Sequence, residues 1–128
     1  MDIKKLITGL TLSMLMSSGA ANADWGDVYY CQMTSHGEIT LEGKQTNYKL
    51  GKFQFKLDQT KNAMVFGSGG FFGGSSPLEL SEGRTFAGQE LWVANGEWDL
   101  ATFETGKLLY SNTTFAGILS ISADCDKF

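Results

Sequence analysis

Lys52-Phe53-Gln54-Phe55-Lys56-Leu57-Asp58 is the stretch that decides the fold class, because its polar and apolar side chains alternate one by one. A period of two places Phe53, Phe55 and Leu57 on one face of an extended strand, and the charged and amide side chains on the other. A strand with one buried and one wet face is typical of an antiparallel sheet. Residues 52–58 therefore predict a half-buried β-strand.

Similar alternation dominates residues 24–128, and no window of twelve residues there carries a helical stripe. Short runs rich in β-branched and aromatic residues are punctuated by glycines. We place strands at residues 28–34, 38–45, 49–57, 63–66, 77–81, 89–94, 97–104, 107–113 and 115–124. The short connections favour an antiparallel meander. The expected fold is all-β, a small antiparallel barrel or tight sandwich of about eight strands.

The first 23 residues have the pattern of a secretory signal peptide. Lys4 and Lys5 precede an apolar run from Leu6 to Met16, and Ala21-Asn22-Ala23 has the small-x-small pattern that signal peptidase cleaves. We expect cleavage after Ala23 and a single all-β domain over residues 24–128. The alternative is an uncleaved anchor, although the run is shorter than the roughly 18 apolar residues of a membrane helix. No membrane span is expected after cleavage.

The charge of the chain argues against two classes of partner. Removal of the leader leaves 105 residues with a formal charge of −5, compared with −4 for the whole chain of 128 residues. Lys and Arg are scattered among the carboxylates without a basic run. A surface of this sign repels nucleic acid and anionic lipid. Since the leader has a bacterial pattern, we expect the protein in the periplasm or outside the cell.

Cys31 and Cys125 lie near the two ends of the predicted domain. In an oxidising compartment an even number of cysteines indicates a disulfide, and two cysteines allow one pairing. Disulfide-bonded Cα atoms lie within about 7 Å of each other, so the first and last strands are expected to be neighbours. No C-x-x-C spacing is present, and the single histidine is distant in sequence. We therefore expect neither a metal nor a cofactor.

Asn95-Gly96 is the strongest hairpin signal, because a two-residue type I′ turn needs positive φ at both positions. A turn there pairs Val93 with Trp98. Thr105-Gly106 predicts a second two-residue turn, which pairs Phe103 with Leu108.

These two turns make one region of the sheet apolar on both faces. Leu91, Val93, Trp98 and Leu100 share one face, and Trp92, Ala101, Phe103, Leu108 and Tyr110 share the other. Only one face can contact a single-layer core. The second face is therefore either covered by another part of the chain or forms an exposed patch or lined cavity that binds a partner or an apolar ligand. Trp92, Phe103 and Tyr110 are the candidate binding residues.

Residues 67–76 form a glycine-rich segment, Gly67-Ser68-Gly69-Gly70-Phe71-Phe72-Gly73-Gly74-Ser75-Ser76. No Lys follows the glycines and no helix follows them, so this is not a phosphate-binding loop. Two adjacent phenylalanines cannot both point inward from an extended segment. Either Phe71 or Phe72 covers one end of the barrel, or a mobile loop presents a phenylalanine to a partner. Ser68, Phe71 and Phe72 join the candidate binding residues.

Catalytic groups are sparse. A catalytic histidine needs a nucleophile or carboxylate beside it, and His36 lies in Ser35-His36-Gly37, which has the composition of a turn. Glu97 and Asp99 project to the same strand face near the predicted hairpin. They are either solubilising charges or, in the alternative reading, the carboxylates of a hydrolase. We assign no catalytic residue and expect a protein that is not an enzyme.

Two resemblances to known proteins rest on short motifs. Tyr29-Tyr30-Cys31 together with Cys125-Asp126-Lys127-Phe128 resembles a set of small exported bacterial proteins of unknown function. Ser68-Gly69-Gly70-Phe71-Phe72 is similar to the inhibitory loop of periplasmic inhibitors of c-type lysozyme, which are small antiparallel barrels closed by a disulfide. Arg84 is the nearest match to the basic contact residue of that family, and the lipid-anchoring cysteine of many members has no counterpart.

The sequence as a whole favours an exported, non-catalytic binding module. In the first interpretation the module binds a protein. Inhibition of a c-type lysozyme is one form of this interpretation. In the second interpretation the module binds a small apolar ligand inside the barrel, lined by Phe53, Phe55, Trp98 and Leu119.

Overall fold

The structure is a computed structural model that describes residues 23–86 and 89–128. Residues 1–22 of the predicted signal peptide lie outside the described part. The described residues form strands and turns, with no helix among them. The strands are β1 (Val28–Thr40), β2 (Gln45–Asn47), β3 (Lys52–Asp58), β4 (Ala63–Phe66), β5 (Leu78–Phe86), β6 (Gln89–Asn95), β7 (Asp99–Glu104), β8 (Lys107–Thr114) and β9 (Gly117–Lys127).

The sheet closes into an antiparallel barrel of eight strands. β1 and β3 to β9 pair in sequence order, and β9 returns to pair with β1 from Tyr29↔Lys127 to Thr40↔Gly117. The short β2 pairs with the second half of β1, on the same side as β3. Of the two predicted architectures, the barrel is therefore the one observed, and closure removes the exposed strand edges of an open sheet.

β1 is longer than predicted. The Ser35-His36-Gly37 segment was expected to be a turn, but it lies within β1 and pairs with β9. The register shifts by one residue between Met33 and Ser35. A bulge of this kind bends the strand locally and increases its twist without ending it.

Aromatic side chains fill the barrel from one end to the other. Tyr29 lies with its ring centroid 4.6 Å from that of Phe103, and Phe55 lies 5.1 Å from Phe103. The inward-facing residues of the described strands are Tyr29, Cys31, Met33, Phe53, Phe55, Leu57, Met64, Phe66, Leu78, Leu80, Ala94, Ala101, Phe103, Leu108, Tyr110, Ile121, Ala123 and Cys125. The half-buried strand predicted at residues 52–58 is confirmed by β3, since Phe53, Phe55 and Leu57 are all buried.

The predicted disulfide is confirmed. Cys31 and Cys125 face each other directly across β1 and β9, with 4.0 Å between their Cα atoms, and both side chains are buried. The first and last strands are thus neighbours, as the cysteine pairing predicted.

The hairpin around Asn95-Gly96 differs from the prediction. Asn95 pairs with Leu100, so the turn contains four residues instead of two, and Val93 faces Thr102 rather than Trp98. The Gly96 amide donates to the Asp99 carbonyl at 2.9 Å. The longer turn is supported from outside the hairpin, because the Thr113 amide on β8 donates to the Trp98 carbonyl at 3.0 Å. No sequence pattern within the hairpin encodes that contact.

The second turn is confirmed. Phe103 pairs with Leu108, and Thr105 and Gly106 both have positive φ, at 45° and 76°. A two-residue turn of type I′ needs this conformation at both positions.

Closure of the barrel decides which of the two apolar faces of this sheet region is buried. The face with Phe103 and Tyr110 points inward and is buried. On the other face, Trp98 and Leu100 are 59% and 47% exposed. The prediction that Trp98 lines the interior is therefore wrong.

Candidate functional site

The two ends of the barrel are formed by different segments of the chain and carry different side chains. We call the end that carries residues 67–77 the loop end, and the opposite end, where residues 23–27 lie, the N-terminal end.

The glycine-rich segment at the loop end is folded against β3. The Phe71 amide donates to the Lys52 carbonyl at 2.9 Å, and the Gly67 amide donates to the Gln54 carbonyl at 2.9 Å. Gly70 has a φ of +95°, and a Cβ there would lie 2.6 Å from the Lys52 carbonyl oxygen. Only glycine satisfies both conditions, so Gly70 is required for this loop conformation.

The two adjacent phenylalanines of the loop have different positions. Phe72 is buried, and its ring stacks on Phe66 at 4.3 Å and meets Phe53 at 4.9 Å and Tyr110 at 4.8 Å. Phe71 is 44% exposed. Phe72 therefore closes the loop end as a plug, and the neighbouring Phe71 faces outward.

Phe71 belongs to a group of rings that we call the aromatic rim, formed by Phe71, His36 and Tyr48. The His36 ring lies 5.0 Å from Phe71 and 5.1 Å from Tyr48. The Tyr48 hydroxyl donates to Glu38 at 2.6 Å, and this hydrogen bond raises the pKa of Tyr48. The His36 Nδ1 lies 3.2 Å from the Lys49 carbonyl oxygen. Because a carbonyl oxygen only accepts, Nδ1 is the donor in this contact.

The sequence analysis did not place His36 and Tyr48 beside Phe71. The rim depends on the backbone of the β1–β2 hairpin, in which the Tyr48 amide donates to the His36 carbonyl at 2.8 Å. The available signal was a turn at residues 41–44, because a hairpin there pairs Gly37 with Asn47 and places positions 36 and 48 beside each other. The candidate Ser68 is exposed in the loop near this rim.

A polar layer lies just inside the loop end. Asp99, Asn112, Leu119 and Glu38 are successive partners across β7, β8, β9 and β1. The Tyr110 hydroxyl donates to Asp99 Oδ2 at 2.6 Å, and the Asn112 amide donates to Asp99 Oδ1 at 3.1 Å. Burial and this carboxylate together raise the pKa of Tyr110. Both oxygens of Asp99 are thus engaged in hydrogen bonds that join β7 to β8.

The residues of the hydrolase alternative lie apart. Asp99 begins β7, and His36 lies on β1, three strands away, which is roughly 14 Å along the sheet. Glu97 is exposed in the hairpin turn. The described residues hold no group of three or more His, Cys, Asp or Glu arranged to bind a metal ion.

Tyr110→Phe is expected to lower the free energy of unfolding by about 1.5–3 kcal/mol, because Asp99 Oδ2 loses its half-buried donor. Chemical denaturation measures the change. Tyr48→Phe is the matched control, since it also removes a tyrosine hydroxyl bound to a carboxylate, but at an exposed site, and a much smaller loss is expected. Equal losses in the two variants would contradict a structural role for the polar layer.

At the N-terminal end, Trp25 covers the candidate residue Trp92. Their rings meet edge to face at 5.0 Å, and both side chains are partly buried against the core. The Gly26 amide donates to the Leu57 carbonyl at 2.7 Å, which ties this segment to β3. Trp92 thus lies at one end of the barrel, Phe71 and Phe72 lie at the other, and Phe103 and Tyr110 lie in the interior. The structure does not bring the six predicted binding residues together on one surface.

Stability is expected to fall at high pH because of a buried tyrosine. Burial, followed by the nearby Asp27 carboxylate, raises the pKa of Tyr29 to about 12 from its ordinary value of 10.0. The unfolded chain releases this proton near pH 10 and the folded chain near pH 12, so the stabilisation is complete below pH 10 and is lost as the pH rises to 12. Denaturation measured from pH 8.5 to 11.5 tests this. Tyr29→Phe should reduce the slope without abolishing it, because Tyr110 acts in the same direction.

Two surface cavities flank the disulfide, with volumes of about 330 and 290 Å³. The first is lined mainly by residues of the β7–β8 turn and the end of β9, and the second by residues of β1, β3 and β9. Asp124 and Asp126 line both cavities.

Comparison of the chain with protein-family models, with curated proteins and with solved structures gives no match. Among residues 23–86 and 89–128, no helix is long and apolar enough to cross a membrane.

Proposed function

We propose that the protein is a non-catalytic binding module that acts in the periplasm or outside the cell after removal of a signal peptide. The leader pattern of residues 1–23 supports export. The buried Cys31–Cys125 disulfide is compatible with an oxidising compartment.

The aromatic rim is the proposed contact surface. Its main support is that the Phe71 side chain is exposed. Phe72 anchors the loop in the core, and backbone hydrogen bonds to β3 hold its base. Phe71 is therefore presented from a supported loop, and ordering it on binding costs little conformational entropy. Aromatic side chains that enter a pocket of the partner supply much of the affinity in protein interfaces. The expected partner is a protein with an apolar pocket large enough for a phenyl ring.

The experiment compares Phe71→Ala with Leu109→Ala in affinity capture from the cell envelope of the native host. Leu109 is a suitable control because it is 60% exposed on the outer face of β8, away from the loop end. A specific partner should be recovered equally with the wild type and with Leu109→Ala, and at least tenfold less with Phe71→Ala. Recovery that is the same for all three proteins would contradict the rim as the contact surface.

A second candidate, inhibition of a c-type lysozyme, is favoured by one observation. Phe71 is exposed directly after Ser68-Gly69-Gly70, on a closed barrel with one disulfide. The side chain of Arg84 lies outside the described residues. Titration of a c-type lysozyme with the exported protein should reduce its cell-wall lysis, and Phe71→Ala should restore it. Undiminished lysis at a large molar excess would remove this candidate and leave the general binding proposal intact.

A carrier of a small apolar ligand is the less favoured alternative. Such a ligand would need the space that Phe53, Phe55 and Phe72 occupy, and these rings contact their neighbours at 4.3–6.4 Å between centroids. The rings would have to move before a ligand could enter.

A further inference from the structure

A tight turn at the N-terminal end brings the backbone nitrogen of Asp24 to a carboxylate. The Asp27 amide donates to the Asp24 carbonyl at 3.1 Å, and in return the Asp24 amide donates to Asp27 Oδ2 at 2.9 Å. Packing of Trp25 on Trp92 and the Gly26–Leu57 hydrogen bond fix this turn against the barrel.

The same carboxylate oxygen receives two further donors. Lys127 Nζ lies 3.3 Å from Asp27 Oδ2, and the Tyr29 hydroxyl donates to it at 3.4 Å. The Asp27 side chain is only 19% exposed. In the uncleaved chain, Asp24 contacts the Asp27 carboxylate through its uncharged backbone amide.

We propose that the bond between Ala23 and Asp24 is the processing site, and that Asp27 is a preformed acceptor for the new N-terminus. The proposal rests on the export proposed above. A signal peptidase, a membrane-bound serine endopeptidase, hydrolyses this bond with one water molecule. Ala23 leaves with a carboxylate, and the Asp24 nitrogen becomes an ammonium group at the position where its amide already meets Asp27. Cleavage thus replaces a neutral hydrogen bond with an ion pair at the N-terminal end.

The charges around the new ammonium determine the direction of its pKa. Asp27 faces it directly, and the carboxylate of Asp24 itself lies beside it, bound to the Trp25 amide at 2.8 Å. Lys127 on β9 competes for Asp27, and Lys56 on β3 lies opposite Val28. The direct contact with Asp27 favours the protonated amine, so its pKa should rise above the ordinary value of about 7.7–8.0 for a free N-terminus.

The experiment has two steps on the protein exported from a bacterial host. Intact mass first defines the N-terminus, and a mass that begins at Asp24 is expected. The rate of N-terminal acylation by an N-hydroxysuccinimide acetate at pH 7.5 is then measured by peptide mass spectrometry. This reagent modifies only the unprotonated amine. Asp27→Asn should therefore react about tenfold faster than the wild type, the change for one pKa unit.

Two further variants separate this ion pair from general surface charge. Lys127→Gln removes the competing cation and should slow acylation, opposite in sign to Asp27→Asn. Asp126→Asn removes an exposed carboxylate next to Lys127 and should leave the rate unchanged. If Asp27→Asn does not fold, Lys127→Gln still tests the proposal.

The possible failures are distinguishable. A mass that retains the leader overturns both the export and the processing site. A mass that begins at another residue overturns the processing site alone. A mass that begins at Asp24, with equal acylation rates for the wild type, Asp27→Asn and Lys127→Gln, overturns the ion pair and leaves the proposed export standing.

Discussion

The double variant Cys31→Ala/Cys125→Ala is expected to lose about 4–5 kcal/mol of unfolding free energy. The bridge joins residues that are 94 apart in sequence, so it lowers the entropy of the unfolded chain by closing a loop that spans most of the domain. A domain of this size has a total stability on the order of 5–10 kcal/mol. The double variant should therefore be close to unfolding at 37 °C. Urea denaturation of the variant beside the oxidised wild type measures the loss.

A matched control separates the covalent bond from strand pairing. Thr34 and Ser122 join the same two strands, β1 and β9, through a hydrogen bond of 2.7 Å between exposed hydroxyl groups. Thr34→Ala/Ser122→Ala should cost no more than about 1 kcal/mol. A similar small loss in the cysteine variant would show that β1 and β9 already constrain the chain without the bridge.

Phe72→Ala is expected to lose about 3–5 kcal/mol of unfolding free energy, which is the usual cost of truncating a buried phenylalanine. The ring of Phe72 closes the loop end and contacts four other rings, those of Phe53, Phe66, Phe71 and Tyr110. Its removal leaves a cavity that the surrounding β-sheet cannot fill. Thermal and urea denaturation both report the loss.

The adjacent residue provides the control for this second prediction. Phe71→Ala removes the same side chain at a 44% exposed position and should cost less than about 1 kcal/mol. The two substitutions thus separate stability from binding within one dipeptide. If Phe71→Ala destabilised the barrel as much as Phe72→Ala, Phe71 would be part of the core and the aromatic rim would lose its exposed member.

The fold class was predictable from local sequence patterns. The alternation at residues 52–58 predicted β3 with the correct buried face, because the period of side chains in a strand is local and independent of the partner strand. Thr105-Gly106 predicted its turn for a similar reason, since positive φ at two successive residues is a local requirement. The number of cysteines left one pairing, and that pairing required the first and last strands to meet.

The candidate site was less predictable. The alternation assigned Phe103 and Tyr110 to one face of the sheet, but sequence does not say which face a closed barrel turns inward. The turn between Asn95 and Leu100 receives a hydrogen bond from β8, and His36 lies beside Phe71 because the loop packs across β3; both contacts join residues that are distant or separated by other elements in sequence.

The sequence by itself determined the all-β class, the disulfide, one of the two hairpin turns and the presence of a glycine-rich loop at residues 67–76. Only the tertiary structure decided that Phe72 is the plug and Phe71 the exposed ring, and that the face with Phe103 and Tyr110 is turned inward. The physical reason is that strand periodicity and turn conformation are set by neighbouring residues. The choice between inside and outside is set by closure of the barrel, which depends on contacts between residues far apart in the chain.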